Sequence, residues 1–423
     1  MVITGAEKGE DVMSNDATIN LIILNGLNSG VEVQGEKLYP SPFIVERINA
    51  LRNEGIFPKT IITHFIYPKT VQLAYQMING KPLHSSSLYT KEIYDKENIH
   101  VVSTNWSLIA TIYVKILAKK ASKKILKEIN PTSNTLLHVH WSYPHGYIGM
   151  LVAKKLEIPY IITTHGGDIN EGAATSRRRR KYIMTALNNA SHCIFVSQDS
   201  LNNAISYGFN GNSASVIPNG VDLSRFHPIS KELSSEKTSF HQTKKYVVGF
   251  IGRLHHHKRA DKLPEIFKMI MANNLDVEFI VIGTGPMSSD IQNQCTLNNI
   301  PVTFVDWVEH GDVMFWMNLF DVMILPSRTE GWPCVILEAF SCGVPIVASD
   351  AGGIPEAMGG LGLIVPSGKD FEQRFGDAVS KCLYSLADID KHALIEYAKR
   401  YTWEYTVSKE IEIYQEQLRN IGE

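Results

Sequence analysis

Two glutamates eight positions apart, Glu330 and Glu338, offer the most specific chemistry in this chain of 423 residues. The first precedes a proline, and the second lies inside a helical pattern that begins at Cys334. The amino terminus of such a helix presents unpaired amides and a partial positive charge, which favour a phosphate group. Glutamates on either side can accept hydrogen bonds from sugar and ribose hydroxyls, although two solvated or capping glutamates are the simpler alternative. The spacing, about 12 Å if helical, suits one elongated ligand better than one bond-breaking pair.

The elements around these glutamates place them at the edge of a predicted parallel sheet. Val322–Leu325 is a short apolar run that predicts a buried strand, and Pro326 ends it. Pro333 suits the first turn of the following helix, because the amide that proline lacks would be unpaired there. Ligands gather at the carboxyl ends of parallel strands. Glu330 is therefore expected in a ligand-binding loop.

A second group of candidate residues, Gly252, Arg253 and Lys258, follows the predicted strand Tyr246–Ile251. A nucleoside diphosphate leaves with added negative charge, which a protein must neutralise. Arginine can grip a phosphate with its planar fork, and lysine supplies a point charge. Three consecutive histidines, 255–257, cannot easily all face one ion from a loop, so no metal site is predicted there.

The first half of the chain has a candidate loop of its own, His165-Gly166-Gly167-Asp168, after the predicted strand Tyr160–Thr164. Glycines let a backbone come close to a ligand. Another predicted strand, Leu136–His140, carries His138 and His140 on one side, because side chains alternate along a strand. A metal pair is conceivable but lacks a matching third ligand, so packing at the strand end or contact with an acceptor is the preferred interpretation.

Several of these stretches together resemble one enzyme family. Residues 330–356 closely resemble the two-glutamate motif of glycosyltransferase family 4 and its continuation, and Gly252 to Lys258 resembles that family's diphosphate clamp. His165 with its flanking residues resembles the segment beside the donor sugar, and 216–222 resembles the family's signature near the end of the first domain. Family members are retaining, nucleotide-sugar-dependent enzymes. The resemblance covers nearly the whole chain after residue 17.

The resemblance implies roles for individual residues. Catalytic roles are expected for Glu330, which orients the sugar, His165, which bonds a sugar hydroxyl, and the clamp residues Arg253 and Lys258. Donor-binding residues, with Glu338 on the ribose, are expected to be Gly252, Arg253, Lys258, Gly283, Val308, Glu330, Gly331, Trp332, Cys334, Val335 and Glu338. Acceptor-side residues are expected to be Gly30, His140, Gly166 and Asp168. No cofactor or metal is expected, because the nucleotide sugar is a substrate.

The implied fold is α/β with GT-B architecture, in which two Rossmann-like, doubly wound domains face an interdomain cleft. The predicted divisions are a disordered leader (1–16), an acceptor-side domain (17–226), a linker (227–245), a nucleotide-sugar-binding domain (246–400) and a terminal helix that crosses back to the first domain (401–423).

A basic helix is predicted from Trp106 to Ile129, with apolar residues recurring every four positions and lysines along another face. Such a helix can lie on an anionic membrane, but a solvated lysine face is the alternative. A run of four arginines and a lysine, 177–181, belongs to the same half and suits an anionic acceptor as well. The candidate contacts with a membrane or an anionic acceptor are Lys115, Lys119, Lys123, Arg178 and Arg179.

Composition and charge indicate which partners and which cell compartment to expect. The formal charge of −2 gives no whole-chain reason to expect a nucleic-acid partner. Five scattered cysteines, without metal-type spacing, favour free thiols in a reducing compartment. No apolar run approaches the ~20 residues of a membrane span. A cytoplasmic protein, with the option of peripheral attachment to the inner face of a membrane, is expected.

The predicted function is sugar transfer with retention, from a nucleotide-sugar donor to a hydroxyl of a glycan, a lipid-linked sugar or a small molecule. Polysaccharide or glycoconjugate biosynthesis is the expected setting. The alternatives are a catalytically silent GT-B subunit that supports a partner transferase, another GT-B enzyme such as a sugar-nucleotide epimerase, and a membrane-associated scaffold. The base, sugar, acceptor and linkage are not identified by the sequence.

Overall fold

Two parallel β-sheets form the framework of the molecule. The computed structural model describes residues 19–26, 42–66, 99–105, 114–273 and 275–422. Neighbouring residues of the central strands, Ile22 and Ile23 in one sheet and Val247 and Val248 in the other, pack into different hydrophobic clusters. Each sheet is therefore buried on both faces, which explains why its strands are continuous apolar runs.

The first sheet consists of seven strands within the described residues. They are β1 (Asn20–Gly26), β2 (Lys59–Ile66), β3 (Ile99–Asn105), β4 (Thr135–His140), β5 (Tyr160–Thr164), β6 (His192–Phe195) and β7 (Ala214–Val216). Their order is β3-β2-β1-β4-β5-β6-β7, with every pair parallel. The winding reverses between β1 and β4, so a ligand-binding crevice is expected at the carboxyl ends of these strands.

Helices of the first half cover this sheet. They are α1 (Pro42–Asn53), α2 (Val114–Ile125), α3 (Tyr147–Leu156), α4 (Arg177–Leu187) and α5 (Gln198–Ser206). Serines start the last two: Ser176 accepts the Arg179 amide and Ser197 accepts the Ser200 amide. Such caps satisfy amides that a helix leaves unpaired at its amino end.

The second sheet has six parallel strands within the described residues. They are β8 (Tyr246–Ile251), β9 (Val277–Ile282), β10 (Val302–Val305), β11 (Val322–Leu325), β12 (Ile346–Asp350) and β13 (Leu363–Pro366). Their order is β10-β9-β8-β11-β12-β13. The winding reverses between β8 and β11, which places the loops after these two strands side by side.

Helices of the second half are α6 (Lys231–Thr238), α7 (Leu263–Ala272), α8 (Ser288–Leu297), α9 (Val313–Met317), α10 (Cys334–Ser341), α11 (Ile354–Met358), α12 (Phe371–Tyr384), α13 (Lys391–Ala398) and α14 (Trp403–Gly422). The first of them lies inside the predicted linker, 227–245. Ser230 accepts the Leu233 amide at 3.2 Å and starts α6, which packs on α9. Phe240 is buried in the core of the second domain. The segment between the sheets therefore contains a helix and contributes a side chain to the core of the second domain.

The terminal helix α14 leaves the second domain and packs on the first. Val407 and Tyr414 are fully buried in the cluster that also contains Leu21 and Ile44. Burying a side chain of this size stabilises a fold by about 1.5–3 kcal/mol. This helix is therefore part of the core of the first domain.

The structure corrects the bounds of three predicted elements. The helix predicted over 106–129 is Val114–Ile125, and residues 106–113 lie outside the described residues. The strand predicted over 302–308 ends at Val305, because the exposed residues 306 and 307 take the chain off the sheet.

The third correction concerns the helix predicted over 389–401, which is Lys391–Ala398. The Asp390 carboxylate accepts the Ala393 amide at 3.0 Å and fixes the start of this helix. The predicted leader, 1–16, and the candidate residue Gly30 lie outside the described residues.

Candidate active site

The loop after β11 holds Glu330 against a lysine from the loop after β8. Lys258 Nζ lies 2.6 Å from Glu330 Oε1, and Ser327 Oγ donates to the same oxygen at 2.6 Å. The lysine and glutamate side chains are 18% and 10% exposed, so this pair can still be reached by a ligand. The structure thus joins a cation and a carboxylate where the strand order of the second sheet reverses.

Arg328 fixes the loop that carries Lys258. Its guanidinium forms a two-point ion pair with Asp261 (Nη1–Oδ1 2.6 Å, Nη2–Oδ2 2.9 Å) and donates to the His256 carbonyl at 2.6 Å. The Arg328 amide also donates to the His257 carbonyl at 2.7 Å. A forked pair of this kind is geometrically specific. The two loops are therefore tied together beside the Lys258–Glu330 contact.

The consecutive histidines of this loop pair with each other. The Nδ1 atoms of His255 and His257 are 2.7 Å apart. Burial, followed by the charge of Lys258, lowers the pKa of His257 to about 4, and burial, followed by Arg253, lowers the pKa of His255. Both rings are neutral at pH 7. In the part of the chain that the structure describes, no group of three or more His, Cys, Asp or Glu residues is placed to hold a metal.

Arg253 stands at the open edge of this site. Its side chain is exposed and makes no hydrogen bond or ion pair with the described residues. Next to it, a methyl group built on Gly283 would lie 2.2 Å from the Gly252 carbonyl oxygen, so the two glycine backbones touch. Gly283 therefore permits the close packing of two loops, and the exposed Arg253 guanidinium beside them is available to bind a ligand.

Glu338, on α10, is a partly buried carboxylate without a hydrogen-bond partner among the described residues. Burial raises its pKa to about 7; Arg225 and Lys258 oppose this rise, and Glu46 adds to it. Arg225 and Glu46 belong to the first domain and form an ion pair, with Nη1 and Oε1 2.5 Å apart. Glu338 is therefore an unpaired acceptor close to charged groups of both domains.

The remaining predicted donor residues surround the start of α10 and the end of β10. Cys334 and Val335 are partly buried, and burial raises the pKa of the Cys334 thiol to about 12. Trp332 is 8% exposed and its ring packs 5.5 Å from that of Tyr401, so this ring belongs to the core of the second domain. Val308 is partly buried against the same core.

The two domains touch through Gly166 and Gly331. A methyl group on Gly166 would lie 2.2 Å from Gly331 Cα, and one on Gly331 would lie 2.4 Å from the His165 carbonyl oxygen. Gly166 has a φ of +86°, a conformation that glycine adopts readily. Asn170 Nδ2 also donates to the Glu330 carbonyl at 3.3 Å. The His165 loop therefore lies directly against the loop of Glu330.

Glu356 makes a second connection between the domains. Its two carboxylate oxygens accept the amides of Gln198 (2.7 Å) and Asp199 (2.8 Å), in the first turn of α5. Amides at this end of a helix lack partners within the helix and carry a partial positive charge. A carboxylate of the second domain thus caps a helix of the first.

His165 follows β5 and is surrounded by aromatic rings. The ring centroids of Phe43 and Trp141 lie 4.7 and 4.8 Å from its own, and its Nε2 lies 3.1 Å from His140 Nδ1. Burial lowers the pKa of His165 well below its ordinary value, and the charge of Arg47 lowers it further. His165 is therefore a neutral imidazole.

Asp168 and His140, both predicted on the acceptor side, contact the His165 loop and hold it in place. Asp168 accepts the amide and the hydroxyl of Ser142, both at 2.7 Å, and the His165 amide at 3.1 Å. His140 is fully buried, with its ring centroid 4.4 Å from that of His138 on the same side of β4. Both residues are engaged in holding the loop.

A cavity of about 390 Å³ opens beside the same loop. Trp141 and Tyr143 line it with aromatic rings, and Glu171 and Arg179 line it with charges of opposite sign. Trp141 has a left-handed φ of +74°, which is strained for a bulky residue. Ligand sites combine apolar walls with a few polar groups. The cavity is thus a candidate site for a second substrate next to His165.

The basic residues form one side of the first domain. Lys115, Lys119 and Lys123 are exposed on α2, which packs beside α3, and α3 packs beside α4. Arg178 and Arg179 are exposed in the first turn of α4. In the described part of the chain, no helix has the length and apolar character that crossing a bilayer requires.

Sequence reasoning missed several residues of this site. Trp141 follows His140 directly, and Arg328 and Ser327 lie two and three positions before Glu330; this proximity was the available signal. Arg47 and Glu410 are fully buried, yet each belongs to an amphipathic helix, where a charged residue predicts a solvated position.

Two family models match the chain. The model described as "Glycosyltransferase Family 4" matches residues 82–225, and the model "Glycosyl transferases group 1" matches residues 245–385. The matches fall on the two halves and together cover about two thirds of the chain.

Curated relatives are transferases. The chain is 28% identical over 226 residues to the putative teichuronic acid biosynthesis glycosyltransferase TuaC of Bacillus subtilis, a match that covers 53% of this chain and 55% of that protein. It is 29% identical over 244 residues to the UDP-Gal:alpha-D-GlcNAc-diphosphoundecaprenol alpha-1,3-galactosyltransferase of Escherichia coli, covering 55% and 62%. The chain therefore spans less than two thirds of the length of both relatives.

Solved structures share the architecture. Sucrose-phosphate synthase from Thermosynechococcus elongatus superposes with a TM-score of 0.70 at 17% identity, covering 95% of this chain and 100% of the other. Anabaena Alr3699/HepE in complex with UDP superposes with a TM-score of 0.68 at 18% identity, covering 94% and 100%. Two Rossmann-like domains that meet at a cleft, with family models matching both halves, establish that the chain belongs to the family 4-type glycosyltransferases and has the GT-B fold.

Proposed function

We propose that this protein transfers a sugar from a nucleotide-sugar donor to an acceptor hydroxyl, with retention at the anomeric carbon. The observation that carries this proposal is the contact of Lys258 with Glu330, placed by Gly331 directly against the His165 loop of the other domain. A cation for the leaving group and a carboxylate for sugar hydroxyls thus belong to loops that pack against the backbone of the loop carrying the neutral His165 imidazole. A glycoconjugate or polysaccharide is the proposed product.

The donor diphosphate binds Arg253, Lys258 and the backbone amides that follow Glu330. Arg253 is exposed and has no partner among the described residues, and Lys258 stands at the reversal of strand order, where ligands collect. Glu338 accepts hydrogen bonds from the two ribose hydroxyls, because its carboxylate has no partner among the described residues. Stabilising the charge that develops on the leaving diphosphate is the main contribution of these groups to the rate.

Glu330 orients the donor sugar and does not act as a nucleophile. Its Oε1 already accepts from Lys258 and Ser327, whereas the carboxyl pair of a retaining glycosidase must flank one bond at about 5 Å. In the proposed step, the bond between the anomeric carbon and the donor phosphate oxygen breaks. The acceptor oxygen bonds to the same face of that carbon, and its proton passes to the departing phosphate oxygen. No metal takes part, so activity should persist in EDTA.

The acceptor sugar occupies the cavity beside Trp141 and Tyr143. Trp141 joins this cavity to His165, since the two rings lie 4.8 Å apart. The Escherichia coli relative acts, by its name, on a diphosphoundecaprenol-linked sugar. A lipid-linked acceptor fits the exposed lysines of α2, which can rest on an anionic membrane.

A thermal-shift panel of UDP, GDP and ADP sugars tests donor binding, because a ligand of the native state raises its stability. A donor that stabilises the protein is then offered with glycan and lipid-linked acceptors, and the anomeric configuration of the product is read by NMR. Arg253→Ala should abolish transfer and leave the melting temperature unchanged. Arg419→Ala, an exposed arginine near the end of α14, is the matched control. A near-normal rate in Arg253→Ala refutes the clamp.

The same panel separates the alternatives. Failure of every nucleotide sugar to bind favours a catalytically silent GT-B subunit, and conversion of donor without acceptor favours an epimerase. An inverted product overturns the proposed stereochemistry but not the transfer.

Membrane contact is tested with vesicles of phosphatidylglycerol and of phosphatidylcholine. Cosedimentation should require the anionic lipid and should fall in Lys119→Glu/Lys123→Glu. Equal binding of the wild type and this double variant refutes the role of the basic helix.

A further inference from the structure

A buried charge pair lies behind His165. Arg47, on α1, and Glu410, on α14, are both 0% exposed, with Nε and Oε1 3.4 Å apart. The same guanidinium reaches His140 Nδ1 (from Nη1, 3.2 Å) and donates to Asn219 Oδ1 (from Nη2, 3.0 Å). One arginine thus connects the first helix, strand β4, the segment after β7 and the terminal helix.

A gain in folding stability does not by itself explain why Arg47 and Glu410 are buried. Removing two charges from water costs more than their attraction commonly returns, and apolar residues of similar volume are often neutral or stabilising in their place. The side chains next to this pair are polar as well: Tyr414 Oη lies 2.7 Å from His138 Nδ1 and donates to Glu410 Oε2 at 3.3 Å. Arg47 contacts His140, and His140 contacts His165, the predicted catalytic residue. This location points to a role in the reaction.

The direction of the hydrogen bonds follows from the chemistry of arginine, which donates and never accepts. His140 Nδ1 must therefore accept from Arg47, and it carries no proton. The single lone pair of this atom also faces His165 Nε2, 3.1 Å away. Nε2 must carry a proton and share this acceptor with Arg47, because two lone pairs at that distance repel each other. A neutral imidazole has one proton on its two nitrogens, so His165 Nδ1 carries a lone pair. This atom is buried and has no hydrogen-bond partner within the described residues.

We propose that Arg47, compensated by Glu410, is a positioning residue that fixes the tautomer of His165, so that His165 presents an acceptor nitrogen to a substrate hydroxyl. This inference rests on the proposed function for the identity of the substrate, but not for the tautomer itself. Without Arg47, His140 is free to carry its proton on Nδ1 and to donate to His165 Nε2. His165 Nδ1 would then carry a proton, and a substrate hydroxyl could no longer donate to it. Through Glu410, the crossing helix α14 becomes part of the active site.

The test is the nitrogen-15 spectrum of the histidine rings, because long-range proton–nitrogen correlations distinguish the two tautomers. The full-length protein, labelled at histidine and free of substrate, is measured at pH 7.5, and His165→Ala identifies the His165 signals. The expected result is a proton on Nε2 and a bare Nδ1 at His165. A proton on Nδ1, or a doubly protonated ring, overturns the proposal without any further variant.

The dependence on Arg47 is tested with Arg47→Met/Glu410→Gln, which removes both charges and leaves neither unpaired. Arg47→Lys, which keeps a positive donor, is the conservative variant. The double variant should show the other tautomer or a mixture at His165. The single variant Arg47→Lys should keep the wild-type tautomer at least in part. An unchanged spectrum in a folded double variant overturns the role of Arg47. If the double variant does not fold, the wild-type spectrum decides: a bare Nδ1 at His165 supports the proposal, and a proton on that atom overturns it.

Kinetics add a second readout. With the donor selected by the panel, the double variant should lose about 100-fold in kcat while the KM of the donor stays within a factor of about three, because the donor clamp is untouched. A loss confined to KM overturns the positioning role. The spectra need no substrate, so a failure of the proposed function and a failure of this inference are separate results.

Discussion

Glu338 is the residue whose protonation we expect to govern donor binding. Its pKa is raised to about 7, chiefly by burial, and only its carboxylate form can accept from both ribose hydroxyls. With a pKa of about 7, roughly nine tenths of the molecules are competent at pH 8 and roughly one tenth at pH 6, so the apparent affinity should fall about tenfold between them. Glu338→Gln should bind the donor weakly at both values, without this pH dependence.

The substitution Glu338→Gln, which should weaken donor binding, should increase the stability of the fold. The pKa of Glu338 rises from 4.5 to about 7 on folding, so the folded state binds more protons than the unfolded state between these values. The free energy of unfolding therefore falls as pH rises through this window, and it is constant above about 7. The full shift corresponds to about 3 kcal/mol, and partial exposure of the side chain reduces this. Glu338→Gln should therefore gain about 1 kcal/mol of stability at pH 8 and nothing at pH 4.

Calorimetric titration between pH 6 and 8 is the assay for binding, and urea unfolding at pH 4 and 8 is the assay for stability. An intact nucleotide sugar is the suitable ligand, because its diphosphate diester does not titrate in this range. Glu404→Gln, an exposed glutamate at the start of α14, is the matched control and should behave as the wild type. A wild-type affinity that does not change with pH, or a tenfold change that persists in Glu338→Gln, refutes the reasoning.

Three further substitutions test the contacts of the cleft. Lys258→Met should lower the rate constant of sugar transfer, measured in single-turnover assays, by about 100- to 1,000-fold. A rate constant within about threefold of the wild type would contradict the place of Lys258 in the clamp. Gly331→Ala should bind donor but fail in transfer, because its methyl group would lie 2.4 Å from the His165 carbonyl oxygen; small-angle scattering unchanged from the wild type in the presence of donor would count against this. Glu356→Gln replaces an acceptor of two helix amides by a weaker one, so the KM values should rise severalfold, and equal KM values would show that this connection does not control closure.

The parallel strands and their ligand-bearing loops could be predicted from the sequence, because apolar runs with polar ends depend on local residues. The contact between Lys258 and Glu330 spans 72 positions. It was expected only because both residues match motifs of one family. Composition predicted only a linker at 227–245, and the helix that Ser230 caps and the burial of Phe240 could not be predicted from a polar average.

The pair of Arg47 and Glu410 shows what the sequence could not reveal. Each residue lies in a helix that has a polar side, and a charged residue there is normally solvated. Their burial results from the return of α14 to the first domain, which brings together positions from opposite ends of the chain. No local pattern contains that information. The tautomer of His165 depends on the same contact and was equally hidden.

The return of α14 also has a consequence for biosynthesis. Trp403, Val407 and Tyr414 complete the hydrophobic core of the first domain, yet they are synthesised only after the whole sheet of the second domain. Domains commonly fold in the order of their synthesis, but here the first domain must wait, with an apolar groove uncovered, until the strands of the second domain have been translated. A premature stop shortly before residue 403 would therefore damage the end of the molecule that was made first.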